Sequence, residues 1–226
     1  MPDKKQQNRQ IDPKQLSQLI SYLDGYSALS VADPSRIQRI VKRNSDDPDI
    51  SAVWREIGND VQDIAALPSS SEEIMKLSGR LGILRPVIMF LGLIVFVIYF
   101  VLEGSGIMKR LGELGVVVFL AGFVGAYFAG FAVYFIYNRK LTNLVNAYFN
   151  EHGNEVARQR RHIKVVNQRL IDKLAAILRM SKTDPDKYRF ALLHKDYANI
   201  NVVKEDKNEI YTVTVKGSRK SPQAEE

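Results

Sequence analysis

Few side chains in this sequence are of a type and spacing that could do chemistry. His152, His162 and His194 are the only histidines, and only His152 is followed at helical spacing by another ligand type, Glu155 three positions on. One such pair does not make a zinc site, which wants three or four converging ligands. Asp46, Asp47 and Asp49 cluster, but without the central Gly and terminal Glu of a calcium-binding loop, and they read better as helix caps. Arg36, Arg39 and Arg43 share one helix face and could touch phosphates. They sit in a segment whose 11 Lys/Arg are outnumbered by 12 Asp/Glu over residues 1–80, and no helix there offers a base-reading set, so nucleic acid is not expected as a partner. There is no cysteine, which removes disulfides, thiolate metal sites and cysteine nucleophiles together. No phosphate-binding loop, dinucleotide fingerprint, nucleophile elbow or zinc-protease pair occurs. No catalytic residue, metal ligand or cofactor is expected, and the function is expected to be non-enzymatic.

The elements that dominate the chain are apolar. Val87–Leu102 and Leu114–Tyr137 contain no Asp, Glu, Lys, Arg or His. As helices they are about 24 and 36 Å long, against a hydrocarbon core of about 30 Å. The first can be extended upstream to Leu81, with Arg85 snorkelling to the headgroups, and the second can tilt. A transmembrane hairpin with spans at about 84–102 and 114–137 is the expectation, within residues 81–140. The first run begins too far into the chain, after a charged segment, for a cleavable signal peptide, so no N-terminal removal is expected. Lys76, Arg80 and Arg85 precede the hairpin, Arg139, Lys140 and Arg158 follow it, and only Lys109 and Arg110 lie in the connector Glu103–Glu113. The positive-inside rule then places both termini in the cytoplasm, in a plasma-membrane protein. No carboxylate, lysine or histidine inside the spans offers a proton relay. In the second span Gly122, Ala126 and Gly130 recur every four residues, and Ala121, Gly125 and Ala129 do so one position earlier. Such a face lets another helix approach closely, either the first span or a second copy.

Residues 1–10 and 218–226 read as disordered tails. Over 11–80, Leu16, Leu19, Ile20 and Leu23 fall on one helix face that Gly25 is expected to end. Asp33–Pro34 and Asp47–Pro48 open two more helices, carrying Ile37, Ile40 and Val41, then Ile50, Val53, Trp54, Ile57, Val61 and Ile64 up to Pro68. A small cytoplasmic helical bundle follows from those stripes. Ser69 or Ser70 caps a further helix toward the membrane, with a break or kink expected near Arg85–Pro86.

After the second span the helix is expected to continue to Gly153. Beyond it Val156, Ile163, Val166, Leu170, Leu174 and Ile177 form a heptad-like seam, which serves either one amphipathic helix on its own domain or self-association as a coiled coil. Arg158, Arg160, Arg161 and Lys164 around it are candidates for anionic lipid headgroups, since residues 138–226 carry 18 Lys/Arg against 11 Asp/Glu. Tyr188–His194, Ala198–Val203 and Ile210–Val215 read as strands of a three-stranded antiparallel meander, giving a cytoplasmic α+β module over 141–217. The expected whole is an α-helical, two-pass membrane scaffold, anchor or accessory subunit. Its partners would be membrane lipids and a second protein or further copies of itself. A channel subunit built by oligomerising the second span, and a membrane-bound enzyme with an unrecognised site, are the alternatives.

Overall fold

The computed structural model describes residues 11–30, 33–105, 107–206 and 209–216. The two tails expected at 1–10 and 218–226 lie outside the described residues. Six long helices and one sheet follow in order: α1 (Pro13–Ser27), α2 (Ser35–Arg43), α3 (Pro48–Ala66), α4 (Glu72–Gly104), α5 (Ile107–His152), α6 (Ala157–Met180), β1 (Phe190–Leu192), β2 (Ile200–Asp206) and β3 (Ile210–Val215). The chain divides into two compact units, one made of residues up to Leu67 together with those from Phe149 onward, the other of Pro68–Tyr148.

The first unit is built on α6. Its apolar stripe buries Ile163, Val166, Leu170, Ile171, Leu174, Ile177 and Leu178, against which α1 and α3 lay Leu16, Leu19, Ile20, Leu23, Ile57, Val61 and Ile64. The N-terminal bundle and the C-terminal α+β module expected as separate bodies are therefore one. The reason is that α1 and α3 each complete their core on α6 rather than mainly on one another. Asp47–Pro48 starts α3 as the pair indicates, with proline in the first turn and the Asp47 side chain accepting the Asp49 and Ile50 N–H groups. At the other pair α2 begins at Ser35, after Pro34, and the Asp33 carboxylate accepts the Ser35 N–H. Gly25 does not stop α1: the helix runs to Ser27, and the left-handed residue that turns the chain is Leu29, at φ 57°. Gly25 instead accepts, through its carbonyl, the N–H and hydroxyl of Ser30. At the turn between α5 and α6 a Cβ on Gly153 would lie 2.5 Å from both Leu29 Cδ1 and the Phe149 carbonyl, so only glycine fits there.

The sheet is antiparallel and three-stranded, but its order is β1-β3-β2, not the expected meander. After β1 the N–H groups of Leu193 and His194 are taken by the Asp24 carboxylate on α1. The chain leaves the sheet there and returns on the far side of β3. Phe190 pairs with Val213 on one side of β3, and Ile200 with Val215 on the other. The β2–β3 register slips between Val202 and Lys204, the mark of a bulge at Val203, and β2 runs on to Asp206, beyond the expected strand end. Tyr211, Val213 and Val215 of β3 are buried, whereas Val202 and Val203 of the edge strand are close to half exposed.

In the second unit α4 is uninterrupted from Glu72 to Gly104, with Pro86 inside it, so the expected break at Arg85 is absent. One lost hydrogen bond is tolerated because the turns on either side keep every other backbone group paired. The cap is Ser71, whose hydroxyl accepts the Ile74 N–H at 3.5 Å, not Ser69 or Ser70. The connector between α4 and α5 is shorter than expected. Helical geometry resumes at Ile107, and Gly112, at φ 67°, supplies a kink that a side chain would strain. A Cβ on Gly130 would meet Ile88 at 3.6 Å and one on Gly92 would meet Tyr127 at 3.5 Å, so α4 and α5 touch as an antiparallel pair. Both helices are long and apolar enough to cross a membrane. Of the most apolar stretch of α4 only 12% is buried, and of that of α5 none is.

Candidate functional site

The most concentrated polar chemistry lies where α1, α6 and the segment after β1 meet. Asp24 is fully buried. Its Oδ1 accepts the Tyr197 hydroxyl and the His194 Nδ1–H, each at 2.8 Å, and its Oδ2 accepts the N–H groups of Leu193 and His194. Asn167 of α6, also buried, donates to the Tyr197 oxygen at 3.1 Å, and the Ser27 hydroxyl donates to the Asp24 main-chain carbonyl at 2.8 Å. Burial first, and the Asp24 charge second, push the Tyr197 hydroxyl well above its ordinary range, so it stays a donor.

Ser27, His194 and Asp24 are the residue types of a hydrolase triad, yet the geometry is wrong for one. Ser27 Oγ, at 3.4 Å, and Asp24 Oδ1, at 2.8 Å, both approach the same ring nitrogen, Nδ1. A relay needs the acid on one nitrogen and the nucleophile on the other. What the cluster does is satisfy the buried Asp24 carboxylate with four donors and pin the β1–β2 connection to α1 and α6. The signal that could have revealed it was available: Asp24 is the one acidic residue of α1, placed in its last turn, where the helix dipole disfavours negative charge. An acid kept there needs donors from elsewhere.

A second cluster joins α3 to α6. His162 holds Asp60 Oδ2 at 2.6 Å through Nδ1 and Glu56 Oε1 at 3.2 Å through Nε2, and Arg169 donates to the same Glu56 oxygen. The Asp60 contact, with Glu56 adding to it against a smaller burial cost, raises the His162 pKa above its ordinary value. The Arg169 guanidinium first, then His162, hold the Glu56 carboxyl below the usual range. A third cluster is Asp47 with Lys173, and Lys173 also reaches Asp49 at 2.8 Å. Among the described residues no group of three His, Cys, Asp or Glu could hold a metal ion.

The sequence candidates distribute as follows. Val156, Ile163, Val166, Leu170, Leu174 and Ile177, read as an association seam, are all buried inside the first unit of a single chain. Of the four headgroup candidates, Arg160 donates to the Ser27 carbonyl at 2.8 Å, and Lys164 pairs with Asp196 at 2.7 Å over the Tyr197 ring. Arg158 and Arg161 are exposed. On α5, Ala121, Gly122, Gly125, Ala126 and Ala129 are exposed, and among the described residues a Cβ at Gly122 or Gly125 would meet nothing within 4 Å. Gly130 alone of that face turns to α4. The side of α5 nearest α4 is aromatic instead, with Phe123, Tyr127 and Tyr134 partly covered.

No family model matches the chain, and neither a curated protein nor a solved structure is similar enough to it to count as a match.

Proposed function

We propose that the chain is a two-pass integral membrane protein of the plasma membrane, both termini cytoplasmic, acting as a non-enzymatic scaffold, anchor or accessory subunit through protein–protein contacts at the membrane face. The observation that carries this reading is the exposure of apolar side chains on the sides of α4 and α5 that do not face each other. Phe90, Leu93, Phe96, Val97, Phe100 and Val101 of α4, and Val124, Phe128, Phe131, Phe135 and Ile136 of α5, are more than two-fifths exposed. Water would not tolerate that surface, whereas lipid would. The polar clusters of the first unit support a scaffold role, because each joins elements of the fold to one another.

The mechanism is one of effective concentration: a folded unit held at the bilayer meets weak partners as if they were tethered. Single cysteines at Ser105 and at Ser181, in a chain with no other cysteine, test the topology. An impermeant thiol reagent added to intact cells labels the first and spares the second. The reverse pattern would invert the protein, and labelling of both would rule out the hairpin. Crosslinking in native membranes then identifies the partner.

The open small-residue face of α5 favours one second reading, a channel or transport subunit assembled from several copies of that helix. Ion or solute flux through liposomes holding only this protein would displace the scaffold reading in its favour.

A further inference from the structure

The basic α6 helix is where the sequence puts lipid contact, but two of its four cations are committed inside the fold. Other cations are not. Within Pro68–Tyr148, Lys76 pairs with Glu72 at 2.6 Å and Lys140 with Glu73 at 3.4 Å. At the same end of the hairpin Arg80, Arg85 and Arg139 are all exposed and, among the described residues, without an acidic partner.

Their heights along the hairpin follow from its contacts. Ile88 lies against Gly130 and Gly92 against Tyr127 in antiparallel register. Counting back from Ile88 to Arg80, and on from Gly130 by the same number of residues, arrives at Asn138, next to Arg139. Arg80 and Arg139 are thus level, and Arg85 lies about 8 Å nearer the middle of the apolar run, within the reach of a snorkelling side chain. Their directions differ. At about 100° per residue, Arg80 and Arg85 flank the side of α4 that Ile88 turns to α5, about 140° apart, and Arg139 lies on the far side of α5 from Gly130. Such cations cannot share one ligand.

We infer that Arg80, Arg85 and Arg139 form a belt that holds separate phosphates of anionic membrane lipids, one headgroup to each guanidinium, where the apolar surface of the hairpin ends. This inference rests on the membrane reading above. Charge complementarity selects the occupant: a guanidinium binds a phosphate oxygen pair in two parallel hydrogen bonds. The exposed apolar side chains beside each arginine on its own helix face, Ile83, Met89 and Ile136, suit acyl chains and not a soluble anion.

The test uses the full-length protein in mixed micelles of a mild detergent with phosphatidylcholine and phosphatidylglycerol, with the lipids that stay bound counted by native mass spectrometry. Each arginine near an anionic surface contributes about fivefold, so phosphatidylglycerol should be enriched over its bulk share, and the enrichment should fall stepwise with Arg80→Gln, Arg85→Gln and Arg139→Gln. The triple Arg→Lys variant, which keeps the charge and hence the insertion, should retain part of it. Arg158→Gln with Arg161→Gln should leave it unchanged. An unaltered enrichment in the triple Gln variant, its loss in the Arg158/Arg161 pair, loss of all bound lipid on a single substitution, or competition by inorganic phosphate at equal concentration would each overturn the belt. Carbonate extraction separates the two readings: a native protein released from membranes sinks the membrane reading itself, whereas an inserted protein with no enrichment sinks only the belt.

Discussion

The Lys173 ammonium on α6 lies 3.2 Å from both carboxylate oxygens of Asp47, at the N-terminus of α3, and that carboxylate also accepts the N–H groups of Ile11, Asp49 and Ile50. One side chain therefore caps a helix, ties down the start of the described chain and bridges to α6. Burial pushes the Asp47 carboxyl up, but the Ile11 N–H, the Lys173 charge and the Ile50 N–H together outweigh it and the net shift is downward. A depressed carboxyl contributes stability that is present above its unfolded value, about 3.9, and is lost as the pH falls through the lower folded value. Asp47→Asn keeps an acceptor for the cap but loses the one that takes the Ile11 N–H and leaves Lys173 less well paired, and should cost about 1–3 kcal/mol at neutral pH. It should also flatten the acid limb of stability against pH. Urea midpoints of the full-length protein in mild detergent measure both. An unchanged midpoint would mean that Asp49 alone suffices for Lys173.

Two buried tyrosines should respond in opposite ways to loss of the hydroxyl. That of Tyr197 donates to Asp24 and accepts from Asn167, so Tyr197→Phe removes a donor from a buried carboxylate and should cost about 1–3 kcal/mol. The Tyr26 hydroxyl is buried and has no hydrogen-bond partner among the described residues. Tyr26→Phe should be neutral or stabilising by about 1 kcal/mol, since it removes a polar atom and keeps the ring. Thermal melts of the two variants side by side decide. A large loss from Tyr26→Phe would reveal a partner for that hydroxyl.

His162 should make stability pH-dependent near neutrality. Its pKa is raised in the folded state, chiefly by Asp60 and then by Glu56, so its contribution is fully present below the unfolded value of about 6.5 and fades as the pH rises through the higher folded one. The pairs are partly exposed, so the effect is modest and weakens with salt. Stability measured from about pH 5.5 to about pH 8.5 should fall on this account, and His162→Gln should lack that part of the fall. Equal slopes in the two proteins would show that the imidazole is not charged in the folded state.

What was legible in the sequence and what was not divide along sequence distance. The Asp47–Pro48 start, the end of α3 before Pro68, the end of α5 before Gly153 and the two apolar helices depend on neighbours within a few residues, and each was readable. Asp24 depends on Leu193, His194 and Tyr197, some 170 positions away, and no local pattern announces donors that far off. The same distance explains the sheet. Alternation in Ala198–Val203 and Ile210–Val215 identified strands, but their order was set by Asp24 drawing the chain off the sheet after β1. The seam from Val156 to Ile177 has a spacing that suits a partner copy or the chain's own α1 and α3 equally. Spacing alone does not distinguish them, and in the fold α1 and α3 cover it.

The small-residue face of α5 yields the sharpest test of association, because the structure separates positions that the sequence had grouped. Gly130 touches Ile88 of the same chain, whereas Gly122 and Gly125 open onto nothing within 4 Å among the described residues. If copies pair through α5, Gly122→Leu with Gly125→Leu widens the open ridge while preserving hydrophobicity and insertion. Interhelical contacts in membranes contribute about 1 kcal/mol each, so this pair should weaken self-association by roughly tenfold without lowering the thermal stability of the monomer. Gly130→Leu should do the reverse: it crowds Ile88, loosens the α4–α5 contact and lowers the melting temperature, with little effect on association. Sedimentation in detergent and fluorescence transfer in nanodiscs report the first quantity, and melts followed by circular dichroism report the second. A native protein that is monomeric in both media, together with an inert Gly122→Leu/Gly125→Leu variant, would leave that face to lipid and remove the channel reading with it.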